Sequence, residues 1–203
     1  LRIGTICQEH QVLVFSDEIH FDFIWIGEHH VFQEVDPAFR EFTMTATAPS
    51  KTFNLAGLQQ SNIFIPNEKI RKAFIRQYQV SGLDEPNTFG IAATQAAYNH
   101  GDEWYEAMKK YVWENICYAK NFIDERIPDV RMNLPEGTYL FWLDFRKLGL
   151  SADELENLII HKAGLWLDSG RIFGTSGEGF QRMNVACQRS TLQEALERIE
   201  KAL

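Results

Sequence analysis

Two residues 34 positions apart have the type and setting for one piece of chemistry. Lys51 lies in Ala46-Thr47-Ala48-Pro49-Ser50-Lys51-Thr52-Phe53-Asn54-Leu55-Ala56-Gly57-Leu58, a stretch of small, apolar and neutral residues in which it is the single charge. Asp17 closes the apolar run Val12-Leu13-Val14-Phe15-Ser16-Asp17. A lysine amine attacks an aldehyde to form a Schiff base, and a carboxylate keeps a ring nitrogen protonated so that the ring can withdraw electrons. One group would anchor a carbonyl cofactor and the other would tune it. Each residue also has a plainer use, Lys51 as a surface lysine and Asp17 as the cap of a turn after a strand.

The elements that must position these groups follow from periodicity. Residues 1–10 put Ile3, Ile6 and Cys7 at helical spacing. Residues 11–16 read as a strand buried on both faces of a parallel sheet, with Asp17 at its C-terminal end, where open α/β sheets hold ligands. Further strands are expected at residues 40–47 and 61–65, with Lys51 on the connection between them. Pro66-Asn67 opens a helix reaching about residue 80, Asn87-Thr88 caps one reaching about residue 99, and residues 102–126 form a long amphipathic helix that stops before Pro128. The remainder reads as α+β, with strands at residues 130–133, 138–145, 165–168 and 180–185, and helices over 151–163 and from 191 onward. Ser151 with Glu154, and Thr191 with Glu194, both have capping-box spacing.

Three motifs occur in order: Val12-Leu13-Val14-Phe15-Ser16-Asp17-Glu18-Ile19-His20, Ala48-Pro49-Ser50-Lys51-Thr52-Phe53-Asn54, and Gly179-Phe180-Gln181-Arg182-Met183-Asn184-Val185-Ala186-Cys187. Together they resemble the fold-type I, class I/II aminotransferase superfamily of pyridoxal phosphate (PLP) enzymes, most nearly its MalY/PatB cystathionine β-lyase branch. The resemblance implies an α/β fold. Residues 1–105 would be the C-terminal portion of the PLP-binding large domain, with a mostly parallel sheet. Residues 106–203 would be an interdomain helix and a small α+β C-terminal domain.

The same resemblance assigns roles. Lys51 is implied to carry PLP as a covalent Schiff base and to shuttle protons, Asp17 to pair with the pyridinium, and Ser50 to contact the phosphate. His20 stands where aspartate-type aminotransferases have a Tyr beside the cofactor hydroxyl; its uses are tuning the cofactor or a structural hydrogen bond. Arg182 is implied to take the substrate's α-carboxylate, which a planar guanidinium captures through two parallel hydrogen bonds. Two positions depart from the pattern. Ala48 replaces the usual Ser three before the lysine and Gln59 the usual Arg eight after it, so phosphate charge must be balanced elsewhere.

The implied activity is β-elimination from cystathionine or a cysteine conjugate to pyruvate, ammonia and a thiol. Amino-acid transamination, or binding of a transcription regulator, are the alternatives. The family's cofactor phosphate turn and ring-stacking aromatic precede these motifs. The chain is therefore expected to be the C-terminal half of a longer enzyme, homodimeric when intact and inactive as a fragment.

Composition narrows the classes. The chain is 45% hydrophobic and 24% charged, with a formal net charge of −8. No Lys/Arg cluster offers a basic face to nucleic acid, and no apolar run approaches the ~20 residues that span a bilayer. Cys7, Cys117 and Cys187 are odd in number and far apart, as expected of reduced thiols in a cytoplasmic protein rather than a disulfide framework. His29-His30 with His20, Asp17 and Glu18 match no metal-ligand spacing, so no metal is expected. Phe21, Phe23 and Trp25 read as packing residues. The Gly-rich segment 170–179 lacks the Gly-Lys-Ser/Thr ending of a nucleotide P-loop and reads as a flexible loop bordering the substrate pocket.

Overall fold

A computed structural model describes residues 1–203, which divide into two compact units, Leu1–Glu106 and Ala107–Leu203. The first unit begins with α1 (Arg2–Glu9), which lies against the ring of Phe39. A Cβ on Gly4 would come within 2.1 Å of that ring, so only glycine permits the approach. The chain then turns at Gln11, held in the left-handed region at φ 54°, before β1 (Val14–Asp17). This turn is why the strand starts later than the apolar run.

After β1, Asp36 caps a tight helical turn over Pro37–Glu41 by accepting from the N–H of Ala38. The turn consumes the first residues of the anticipated second strand, and β2 covers Thr43–Thr47. Lys51 lies on a four-residue helix, α2 (Pro49–Thr52), rather than on an irregular loop, because Pro49 supplies the fixed φ favoured at a first helical position. β3 (Asn62–Phe64) follows. β1 pairs parallel with β2, and β2 antiparallel with β3. In this chain β1 is the outer strand of three and alternates between half-buried and exposed residues, with Phe15 53% exposed. Burial on both of its faces is therefore not found.

Helices α3 (Glu68–Val80) and α4 (Thr88–His100) begin as the sequence indicates, with the side chains of Asn67 and Asn87 accepting from first-turn N–H groups. Helix α5 (Asp102–Arg126) is 25 residues, about 37 Å at 1.5 Å per residue, and carries the chain from the first unit into the second.

In the second unit the sheet order is β4-β5-β7-β6, all antiparallel: β4 (Arg131–Met132), β5 (Leu140–Asp144), β6 (Asp168–Ser169) and β7 (Phe180–Asn184). One sheet face buries Phe141, Leu143 and Met183, and Val112, Ile116, Ala119 and Ile123 of α5 form a buried stripe at helical spacing. Full burial of each of the larger side chains is worth about 1.5–3 kcal/mol. Asn115, fully buried on that stripe, donates to the carbonyls of Val185 and Cys187 at 2.9 Å each and accepts from Arg189 Nε at 2.7 Å. Its polar group is thus satisfied, and it ties α5 to the chain leaving β7.

Helix α6 (Ala152–Glu156) opens with a complete Ser151/Glu154 capping box and runs on through a wider turn to Lys162. Helix α7 (Arg189–Ala202) starts two residues before Thr191, with Gln188 at the cap position and no side-chain cap. Thr191 is therefore inside the first turn, and its capping-box spacing is unused.

Candidate active site

Parallel pairing fixes the geometry of the first unit's site. Because β1 and β2 run the same way, their C-terminal ends lie side by side, with Asp17 in register with Ala46. The N–H of Glu18 continues the ladder to the carbonyl of Ala46 at 2.8 Å. From there Ala48 stays extended, and Pro49 starts the turn that carries Ser50 and Lys51. The N–H of Phe53 donates to Pro49 O at 2.8 Å and that of Leu55 to Ser50 O at 3.0 Å, closing the turn below the lysine.

The functional side chains differ in how firmly they are held. Lys51 is half-buried and makes no hydrogen bond or ion pair with the chain. Asp17 is exposed; one carboxylate oxygen accepts a long 3.3 Å bond from the N–H of Ile19, the turn-capping geometry open to an Asp after a strand. Its other oxygen has no partner in the chain. Ser50 and His20 are half-buried, and the His20 ring centroid lies 6.3 Å from that of Phe23, a core residue 1% exposed. Gln59 is exposed in the left-handed region at φ 54°.

Behind these groups is a supporting layer that sequence reading did not single out. Thr52, 2% exposed, donates its hydroxyl to Asp22 Oδ2 at 2.6 Å, and Tyr105 OH donates to the Asp22 carbonyl at 2.7 Å. Asp22 thus fastens the helix bearing Lys51 to the segment after β1. Phe53 packs among Tyr98, Trp104 and Tyr105 at centroid distances of 6.1, 5.9 and 6.4 Å. Burial, opposed by the hydrogen bond from Asn62 and joined by the Asp22 charge, holds the Tyr98 phenol above its ordinary pKa.

On the other side of Asp17, Glu18 is 7% exposed. It accepts from Ser16 Oγ at 2.9 Å and the N–H of Phe32 at 3.0 Å, and pairs with His29 Nε2 at 2.7 Å. A buried carboxylate needs such partners, and these pin the segment around His29 to the strand end. Partners 11 to 83 residues apart leave no periodic trace, so composition and spacing could not reveal them.

Arg182 belongs to the second unit, at the centre of β7, with Trp142 of β5 and Asp168 of β6 as its cross-strand neighbours. Its Nε and Nη2 both donate to Asp168 Oδ2, at 3.0 and 2.7 Å. Its guanidinium carbon lies 4.7 Å from the centroid of Phe173, which meets Trp142 edge-on at 5.1 Å. The Gly-rich segment carrying Phe173 forms two tight turns, Gly170–Phe173 and Thr175–Gly177. A Cβ on Gly170 would meet the Gly177 carbonyl oxygen at 1.9 Å, so the two turns approach each other closely through their backbones, while residues 171–176 between them are exposed. Asp168 is 45% exposed in its side chain, and a pair so open contributes only about 0–1 kcal/mol to stability.

Comparison with known proteins bears on these features. The chain is 41% identical over its whole length to cystathionine β-lyase PatB of Bacillus subtilis (strain 168), covering 53% of that protein. It is 30% identical to protein MalY of Escherichia coli (strain K12), with 96% of this chain and 50% of that protein aligned. Among solved structures, cystalysin from Treponema denticola, which contains a PLP cofactor, superposes with a TM-score of 0.95 at 40% identity, covering 99% of this chain and 51% of that one. The chain thus spans about half the length of the curated relatives it matches. No helix is long and apolar enough to cross a membrane. Residues 1–199 match the family described as Aminotransferase class I and II, and the chain belongs to that family.

Proposed function

We propose that the polypeptide carrying this chain is a PLP-dependent carbon–sulfur β-lyase, releasing a thiol, pyruvate and ammonia from cystathionine or a cysteine conjugate. The observation that carries this reading is the half-buried, unpaired amine of Lys51, on a turn that starts where β2 ends, beside the end of parallel β1 that bears Asp17. A carboxylate at the end of one strand and a primary amine on the short helix after the neighbouring strand fit the ring nitrogen and the aldehyde of PLP. Ser50 adds a hydroxyl for its phosphate. Ala48 and Gln59 add no charge there, so this chain fits the reactive end of the cofactor better than the phosphate.

Bound PLP supplies an electron sink for negative charge developing at the substrate's Cα. The chain's own groups do the rest. Lys51 Nζ is the covalent anchor and, once released by the incoming amino group, the base that takes the Cα proton. Asp17 holds the proton on the ring nitrogen. His20 adjusts the polarity at the cofactor hydroxyl, and Arg182 orients the substrate through its α-carboxylate. Loss of a thiolate from Cβ then gives the elimination products after hydrolysis. The same residues would also serve transamination to a second, keto-acid substrate, with Lys51 as the proton carrier. The PatB and cystalysin relatives favour the lyase, and the three free cysteines fit a reducing, cytoplasmic setting. Residues 1–105 act in this reading as the C-terminal portion of the PLP-binding domain and 106–203 as interdomain helix and small domain, in a homodimer.

Borohydride reduction of the PLP-loaded polypeptide, followed by peptide mapping, tests the site. The pyridoxyl group is expected on Lys51; labelling of Lys69 or Lys72 instead overturns the assignment. Equal thiol and pyruvate release from cystathionine supports the lyase, whereas amino transfer without thiol release sinks it.

A further inference from the structure

The carboxylate-binding role of Arg182 leaves open which part of the guanidinium a substrate can reach, and the second unit's geometry answers this. A guanidinium offers two edges for parallel hydrogen bonds, Nε with Nη2 and Nη1 with Nη2. The first edge is taken, because both of its N–H groups point at Asp168 Oδ2. The guanidinium carbon lies over the Phe173 ring, 4.7 Å from its centroid, and that ring meets Trp142 edge-on at 5.1 Å. Nη1 makes no hydrogen bond in the chain. The outer Nη1–Nη2 edge is therefore the one bidentate surface presented.

We propose that Asp168 is a positioning residue for Arg182: it clamps the inner edge so that the outer edge meets an α-carboxylate end-on. This rests on the reading that Arg182 takes the substrate carboxylate. The ion pair is too exposed to be explained by its contribution to stability, since surface pairs add little, whereas a long side chain fixed in one rotamer binds with less ordering cost. The role is orientation rather than charge. An amide at position 168 still accepts from Nε and Nη2 and keeps the clamp, while alanine frees the guanidinium to turn.

The experiment uses the full PLP-loaded polypeptide and four forms: wild type, Arg182→Ala, Asp168→Ala and Asp168→Asn. KM and kcat on cystathionine are measured, and calorimetry follows the affinity for 2-aminoisobutyrate, an amino acid with no Cα proton. Arg182→Ala should weaken both KM and this affinity by 100-fold or more, from loss of a charge-assisted bidentate contact. Asp168→Ala should weaken both about 10-fold with kcat within twofold of wild type, because a disordered clamp costs binding and not chemistry. Asp168→Asn should restore both to within about threefold of wild type. If Arg182→Ala leaves KM unchanged, the carboxylate reading fails and the proposal falls with it. If Arg182→Ala weakens binding but Asp168→Ala does not, the role of Arg182 stands and that of Asp168 is refuted. If Asp168→Asn is as damaging as Asp168→Ala, the aspartate acts through its charge and the clamp is refuted.

Discussion

Replacing Thr52 with valine isolates the contact that holds the Lys51 turn. The two side chains have the same shape, so at this 2% exposed site no cavity opens, and the loss is that of one hydroxyl donating 2.6 Å to the Asp22 carboxylate. A hydrogen bond to a charged partner contributes about 1.5–3 kcal/mol. Asp22 is only half-buried and regains some water, so the lower part of that range applies, about 1.5–2 kcal/mol. Thr52→Ser keeps the hydroxyl and loses one methyl group, about 0.8 kcal/mol. The assay is native-state amide exchange at Phe53 and Leu55, whose N–H groups are bonded to Pro49 O and Ser50 O and so report opening of this turn. A double-mutant cycle with Asp22→Asn should return a coupling of about 1 kcal/mol or more. Exchange free energies for Thr52→Val within about 0.3 kcal/mol of wild type, or a coupling near zero, would refute the reasoning.

Asp17→Ala in the PLP-loaded polypeptide should still allow the lysine-linked absorbance to form. Exchange of the substrate Cα proton into heavy water should slow by about 10²–10³-fold, the usual loss when one electrostatic stabiliser is removed; a wild-type exchange rate rules out a role at the ring nitrogen. In the second unit, hydrogen bonds from the Arg146 side chain, opposed by partial burial and joined by the Arg146 N–H, hold the Asp144 carboxyl below its ordinary range. A depressed folded-state pKa adds stability that is complete above the unfolded carboxylate pKa and is lost as pH falls through the depressed value. NMR titration should find Asp144 low in wild type and higher in Arg146→Gln, which keeps the backbone N–H bond and the nearby Arg131 charge but loses the side-chain bonds, and whose stability should fall off less between neutral and acid pH. Identical Asp144 titrations in the two proteins would contradict this.

How much of this was legible in the sequence depended on the range of each interaction. Caps are local, and Asn67, Asn87 and Ser151 act where side-chain chemistry within three residues says they should. Thr191 has the same pattern but does not cap, because Arg189 and Ser190 already extend the helix ahead of it. The apolar run before Asp17 indicated a strand and its end, and that strand pairs parallel with β2 as the reading of a parallel sheet requires. Lys51, Asp17, His20, Ser50 and Arg182 stood out through motif resemblance. Asp22, Glu18, Asn115 and Asp168 earn their places through partners distant in sequence, and a polar residue awaiting such a partner looks like any surface residue.

Adjacent acids at the end of β1 carry a consequence for how this segment can change through evolution. Asp17 points to solvent and Glu18 is buried among Ser16, His29 and Phe32, because successive strand residues alternate faces. Inserting one codon between residues 12 and 16 would move Asp17 into the buried place of Glu18, a shorter acid in a hole shaped for three donors, and deleting one would put Glu18 at the outward place of Asp17 and Ile19 in the hole. Both acids remain in the translated sequence, so an inspection of composition would notice nothing. Length variation in this stretch is therefore expected in steps of two residues, and drift by a single residue should be purged as severely as loss of the aspartate itself.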